Sequence, residues 1–175
     1  MRRKLTWWGL CAVAIGLTTF AAAKVRATPA AGFTGTTLAL GRLGDIEVFN
    51  HAVLANPSQP GHPNLWLSLQ KTKGDSDLYV QSNVWTPGGS TGWHTHPGHS
   101  LIIVTAGAVT AYEGDDPTCT PQVYTQGMSL VDPGGNHVHN LRNEGTVEAR
   151  TVAVQLIPAG ATRRIDAADP GHCPF

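Results

Sequence analysis

The chain has 175 residues, 41% of them apolar and 14% charged, with twelve basic and twelve acidic side chains. That length suits one domain with one core. The charge balance, with no basic run outside the first residues, excludes a nucleic-acid binder held by phosphate contacts.

Residues 1–27 stand apart in composition. Arg2-Arg3-Lys4 gives a basic start, Thr6 to Ala23 is nearly free of polar side chains, and Ala21-Ala22-Ala23 closes the run. This is the layout of a secretory signal peptide; a retained membrane anchor is the rival reading, since a run of about 18 apolar residues is near the lower limit for a span. The expected location is secreted or extracytoplasmic, and membrane-anchored if the segment is not cleaved. Cys11 follows Leu10 rather than a small residue, which argues against a lipoprotein site. Loss of residues 1–27 removes five basic residues and leaves seven basic against twelve acidic, a net charge of −5. Cys119 and Cys173 then remain. One disulfide between them is the default in an exported chain, with two free thiols as the alternative.

Residues 28–77 read as N-terminal strands and loops, 78–157 as the core, and 158–175 as a tail tied back by Cys119–Cys173. Short strands are expected at Thr36–Leu40, Ile46–Phe49, Leu65–Gln70 and Leu78–Trp85, the last ended by Pro87-Gly88-Gly89. They continue through Leu101–Val104, Ala108–Tyr112, Gln122–Tyr124, Met128–Val131, His137–Leu141 and Val147–Ile157, with an edge strand near Arg163–Asp166. No stretch after residue 27 keeps a helical period over three turns. Many short strands divided by Gly and Pro turns predict an all-β sandwich or barrel.

Eight histidines are present, and two pairs share one spacing: His94-Thr95-His96 and His137-Val138-His139. Residues i and i+2 of a strand face the same side, so each pair could place two imidazoles on one face. A lone pair of this kind is more often solvated or hydrogen-bonded than ligating. Here the surroundings add information. Gly88 is followed by five residues and His94-Thr95-His96; after three residues comes Ser100, and after six more Gly107. Gly127 is followed by five residues and Pro133-Gly134-Gly135, then His139, then Asn143 after three residues.

In these two motifs, in this order, the chain resembles the cupins, which are small jelly-roll β-barrels. The resemblance covers roughly residues 78–157. It departs at Ser100, where the family has a glutamate, and at His139, one residue late. It implies a divalent transition metal (Zn, Fe, Mn, Ni or Cu) on His94, His96 and His139, with His99, His137 and Ser100 as weaker candidate ligands. It further implies an exported cupin, a metal-dependent enzyme of dioxygenase, isomerase or lyase type acting on a small polar molecule. The alternative is a non-catalytic barrel that binds a small molecule or a metal. Trp93 and Arg142 are candidates for the substrate pocket, against a wall role for Trp93 and a surface role for Arg142. Cupins often pair through strands, so a homodimer is one expected partner; a small-molecule ligand is the other, and nucleic acid is not expected. Among other chemistries, no Gly-x-Ser-x-Gly nucleophile signature and no Gly-rich phosphate loop occurs.

Overall fold

The structure is a computed structural model that describes residues 27–55, 58, 61 and 64–175. The leader reading of residues 1–27 therefore lies outside the described residues, except for Ala27, which bridges to Ala168. Among the described residues no helix is long and apolar enough to cross a membrane.

Every regular element among the described residues is a strand: β1 (Ala31–Leu43), β2 (Ile46–Leu54), β3 (Asn64–Thr72), β4 (Ser76–Ser90), β5 (His94–Thr95), β6 (Ser100–Ala106), β7 (Ala108–Glu113), β8 (Gln122–Thr125), β9 (Ser129–Asp132), β10 (His139–Arg142), β11 (Ala149–Pro158) and β12 (Ile165–Asp166). They form two layers. One runs β1-β4-β11-β6-β9 and the other β12-β5-β10-β7-β8, joined where β4 reaches β10 at Ser90 and Arg142. This is the expected jelly roll. The core fills the space between the layers with Trp85, Ile102, Val104, Val109, Leu130 and Leu141, each at an inward position of an alternating strand.

Strand bounds differ from the sequence expectation: β10 begins at His139 rather than His137. β4 does not stop at Pro87 but continues to Ser90. Residues 86–89 lie where pairing passes from β11, which ends at Trp85, to β10, which begins at Ser90. The missing N–H of Pro87 therefore removes no ladder bond. β2 and β3 pair with each other and with no other strand. They continue the β1/β4 pair outward past Leu43 and Ser76 as a two-stranded ribbon.

Cys119 and Cys173 are joined, with their Cα atoms 5.4 Å apart. This ties the tail to the loop after β7. The ring of Phe175 lies 4.7 Å from that of Tyr112 and stacks at 6.4 Å on Trp93.

Candidate metal centre

His94 opens β5, His96 follows directly after it, and His139 opens β10 directly opposite His94. Alternation along one strand and register across the pair bring three rings together: centroids are 4.8 Å apart for His94 and His96, 4.4 Å for His94 and His139, and 5.6 Å for His96 and His139. Each offers a ring nitrogen within 4.8 Å of the others. Backbone carbonyls set the tautomers. Nδ1 of His94 donates to the Gly92 carbonyl at 2.9 Å, and Nδ1 of His96 donates to the Arg163 carbonyl at 2.6 Å. A carbonyl can only accept, so the proton sits on Nδ1 and leaves Nε2 with its lone pair.

The cluster also holds a carboxylate that sequence reasoning missed. Asp132, 5% exposed, sits opposite Ser100 in the β6/β9 pair. Its Oδ2 is 3.6 Å from Nε2 of His96 and its Oδ1 is 3.6 Å from Nδ1 of His139. Ser100 Oγ donates to Oδ2 at 3.3 Å, Gln155 Nε2 donates to Ser100 Oγ at 3.2 Å, and the Gly134 N–H donates to Oδ1 at 2.9 Å. A carboxylate from the neighbouring strand thus lies beside the histidines, although position 100 carries none. Gly134 holds φ at +68°, and a Cβ there would meet the Gly98 carbonyl, so the two motif loops approach closely only with glycine at this point. One sequence signal could have found Asp132. Leu130 and Asp132 share the inward face of β9, so this is an acid at a core-facing position, just before the Pro133-x-Gly135 turn.

The other candidates separate. Ser100 points inward and is buried, as its parity with His94 and His96 requires, but its hydroxyl is engaged by Asp132 and Gln155. The His99 ring lies outside the cluster, facing the end of β3, while its carbonyl accepts from Leu156 N. His137 pairs with Glu113 (Nε2 to Oε2, 2.8 Å) and groups with Asp132 and His139, not with His94 and His96. Neither substrate-pocket candidate lines the cavity beside the histidines. Trp93 packs against Tyr112 and Cys119, and the Arg142 guanidinium lies 3.9 Å over the Phe175 ring. The reason is parity: Trp93 is one residue from His94, and Arg142 three from His139, so each faces the other side of its strand. Arg163 and Arg164, where the sequence places an edge strand, line that cavity. Arg164 bonds Asp166 at 2.6 Å and also donates to the Thr91 carbonyl.

The cavity measures about 70 Å³. A buried water needs about 10–15 Å³ measured this way, so the space suits a few waters or a ligand of a few non-hydrogen atoms. Phe33, Trp85, Ile102 and Leu141 give it an apolar wall.

Burial holds the histidines neutral. It pushes His94 down to about 2, helped by the neighbouring His139, Arg164 and His96. It lowers His139 to about 4 against the opposing pull of Asp132, and it lowers His96. Neutral imidazole is the form that binds metal. A carboxylate as buried as Asp132, with no Lys or Arg pairing with it among the described residues, calls for a cation. His139 Nδ1 is buried without a hydrogen-bond partner. Three nitrogens, one carboxylate, an uncompensated buried charge and an orphaned ring nitrogen fit a divalent transition metal.

A pH dependence follows. In unfolded chain a histidine titrates near 6.5, while in the metal-free fold these three stay neutral to lower pH. Below about pH 6.5 the unfolded state binds protons that the folded state does not, so stability falls as pH falls. The slope is about 1.4 kcal/mol per pH unit for each histidine held neutral. It lasts down to about 4 for His139 and about 2 for His94. Urea unfolding of metal-stripped protein at several values between pH 7.5 and 5 checks this; equal stability across that range would contradict it.

A jelly roll whose two layers converge three histidines and a carboxylate defines a cupin-type barrel. Residues 84–155 match the family model described as "Cupin domain". Over that stretch the chain is similar to the cupins. No curated protein sequence matches it. Similar solved structures include a double-stranded β-helix protein from Klebsiella pneumoniae subsp. pneumoniae, at 22% identity over 51% of this chain and 74% of that one, with a TM-score of 0.44. The conserved SPY1581 protein of unknown function from Streptococcus pyogenes shares 18% identity over 47% of this chain and 67% of that one, with a TM-score of 0.40. The polyketide cyclase RemF from Streptomyces resistomycificus shares 20% identity over 53% of this chain and 64% of that one, with a TM-score of 0.44.

Proposed function

We propose that the protein is an exported metal-dependent cupin enzyme acting on a small polar molecule. His94, His96 and His139 would hold a divalent transition metal (Zn, Fe, Mn, Ni or Cu), with Asp132 as the fourth ligand. The observation that carries this reading is Asp132, a buried carboxylate set against histidines that burial keeps neutral. When bound, such an ion supplies Lewis acidity toward an oxygen of the substrate. The chain's own residues do the rest. The Gly92 and Arg163 carbonyls orient two ligand rings, and Ser100 with Gln155 fixes the Asp132 carboxylate. Arg163 and Arg164 make the cavity attractive to an anionic or oxygen-rich ligand, and its volume limits that ligand to a few non-hydrogen atoms. The reaction type is read as dioxygenase, isomerase or lyase.

The alternative is a non-catalytic small-molecule- or metal-binding barrel. One observation favours it. Asp132 is the one carboxylate lining the cavity among the described residues, and its oxygens are already engaged by Ser100 and Gly134. No separate carboxylate base is then at hand. Oxygen uptake and product formation with metal-loaded protein, across diols, phenols and keto acids, separate the two readings. Turnover that disappears in the His94→Ala/His96→Ala variant is the expected result; saturable binding of these compounds with no turnover would instead establish the binder. The Cys119–Cys173 bond supports an extracytoplasmic location.

A further inference from the structure

The histidines belong to the β12-β5-β10-β7-β8 layer, and the layer that faces them across the cavity is polar for a barrel interior. Gln81 and Asn83 of β4, Gln155 of β11, Ser100 of β6 and Asp132 of β9 all line the cavity. Asn83 is 7% exposed and Gln155 3%. Amides buried this deeply cost stability unless their polar atoms find partners. Only one arm of each does. Asn83 Nδ2 donates to Thr151 Oγ1 at 3.2 Å, and Gln155 Nε2 donates to Ser100 Oγ at 3.2 Å. Asn83 Oδ1 and Gln155 Oε1 have no partner. Nor does Nε1 of Trp85, which follows Asn83 on the same face of β4 and lines the same cavity.

The neighbours of Gln155 dictate how its amide is turned. A hydroxyl has one proton to give, and Ser100 gives it to Asp132 Oδ2. Ser100 can then only accept from Gln155, so Nε2 turns to Ser100 and Oε1 is left over. Asp132 thus determines, through Ser100, that this part of the wall offers an acceptor and not a donor. β1 leaves the room. Gly35 lies opposite Asn83 in the β1/β4 register, and a Cβ there would collide with the Gln81 amide.

Two acceptors and one donor therefore stand unpaired beside one cavity, and the metal centre uses none of them. Carbonyl or carboxylate oxygens could satisfy the Trp85 indole but not the two amide oxygens. An ammonium group could satisfy the amide oxygens but not the indole. A hydroxyl both donates and accepts.

We infer that this wall is a recognition subsite for a hydroxyl group, so that the ligand of the cavity is a small hydroxylated molecule and not its carbonyl counterpart. Asn83, Gln155 and Trp85 are the residues that set the preference. The inference rests on the cavity being the ligand site of the function proposed above, but not on which metal is held. Arg163 and Arg164 line the same cavity, and an acid group beside the hydroxyl suits them.

Isothermal titration calorimetry on protein purified without chelator tests it with two matched pairs: lactate with pyruvate, and propane-1,2-diol with hydroxyacetone. Each pair differs by one hydroxyl in place of one carbonyl at the same carbon. The hydroxyl member is expected to bind tighter by about tenfold or more in whichever pair binds, since the carbonyl member leaves buried acceptors unpaired. Asn83→Leu and Gln155→Met, which remove one acceptor each at similar volume, are each expected to erase most of that preference. Asn83 bonds Thr151 and not the Asp132 network, so Asn83→Leu should keep the wild-type metal content and strand content. Equal binding within both pairs overturns the inference and means that water holds the two acceptors. Tighter binding of the carbonyl member, a preference that survives both substitutions, or no binding of any of the four compounds overturns it as well. Metal content of the same samples keeps the failures apart. Protein that holds metal but shows no preference refutes the subsite alone. Protein without metal that still prefers the hydroxyl member keeps the subsite and refutes the metal-dependent reading.

Discussion

Asp132→Asn is expected to weaken transition-metal binding on the order of 100-fold, since it removes a charged ligand where loss of even a supporting partner costs 10–100-fold. It should do so while raising the stability of the metal-free protein. The two effects have opposite signs for one reason. Without metal, Asp132 is a buried negative charge whose nearest ring nitrogens belong to histidines kept neutral by burial, and removing an uncompensated buried charge relieves its desolvation. With metal, the same charge is the counter-ion. Competition against a chromophoric chelator gives the affinity, and thermal unfolding of the stripped protein gives the stability. A second substitution sharpens the test. Ser100 lies opposite Asp132 in the β6/β9 register, so Ser100→Glu in the Asp132→Ala background puts a carboxylate back where the family carries one. It should recover much of the lost affinity. If Asp132→Asn leaves affinity unchanged and lowers metal-free stability, the residue is a structural acid and not a ligand.

The second large effect concerns the tail. Cys119 and Cys173 are 54 residues apart. In the chain-entropy model, closing a loop of that length contributes about 4 kcal/mol. Cys119→Ala/Cys173→Ala, or reduction of the wild type, should lower the unfolding free energy by that order. The loss should reach the metal centre, because the tail braces the ligand strand. The Ala167 N–H donates to the Trp93 carbonyl, β12 pairs with β5 at His94 and Thr95, and the Arg163 carbonyl holds Nδ1 of His96. Thr28 adds a further tie, with its hydroxyl accepting from Trp93 N–H and its own N–H donating to the Ala167 carbonyl. Metal affinity should therefore fall on reduction even where the barrel stays folded. Urea unfolding and chelator competition, each with and without reductant, read the two effects. A change below about 1 kcal/mol, far under the loop-closure figure, together with unaltered affinity, would mean that the strap is held by its strand contacts alone.

The fold was legible because strand spacing and turn residues are local signals, and because the two glycine-bounded motifs fix which strands face each other. His94, His96 and His139 were legible for the same reason, since strand parity and motif order place all three inward. Asp132 was not. Its role depends on β9 lying beside β6 in register with Ser100, and a pairing between strands 32 positions apart leaves no mark in a local pattern. The missing glutamate drew attention to Ser100 itself, when the compensating group sat across the ladder from it. Trp93 and Arg142, candidates for the pocket against a wall and a surface role, do not line the cavity, because the parity that turns the histidines inward turns both away. The edge strand expected near Arg163–Asp166 is confined to Ile165–Asp166, and Arg163 and Arg164, in the segment just before it, line the cavity. The ribbon's length also escaped prediction. Ile46–Phe49 and Leu65–Gln70 were recognised as strands, but their isolation from the barrel is a tertiary fact.

The central claim is that three histidines and Asp132 form one metal centre, and metal content by inductively coupled plasma mass spectrometry tests it most directly. Wild-type protein, purified without chelator and then dialysed against a mixture of divalent transition metals, should retain one equivalent, as a site of this ligand number does. The His94→Ala/His96→Ala variant should retain none while keeping its strand content. A wild-type protein with no stoichiometric metal, or a variant that keeps the full equivalent, would contradict the account.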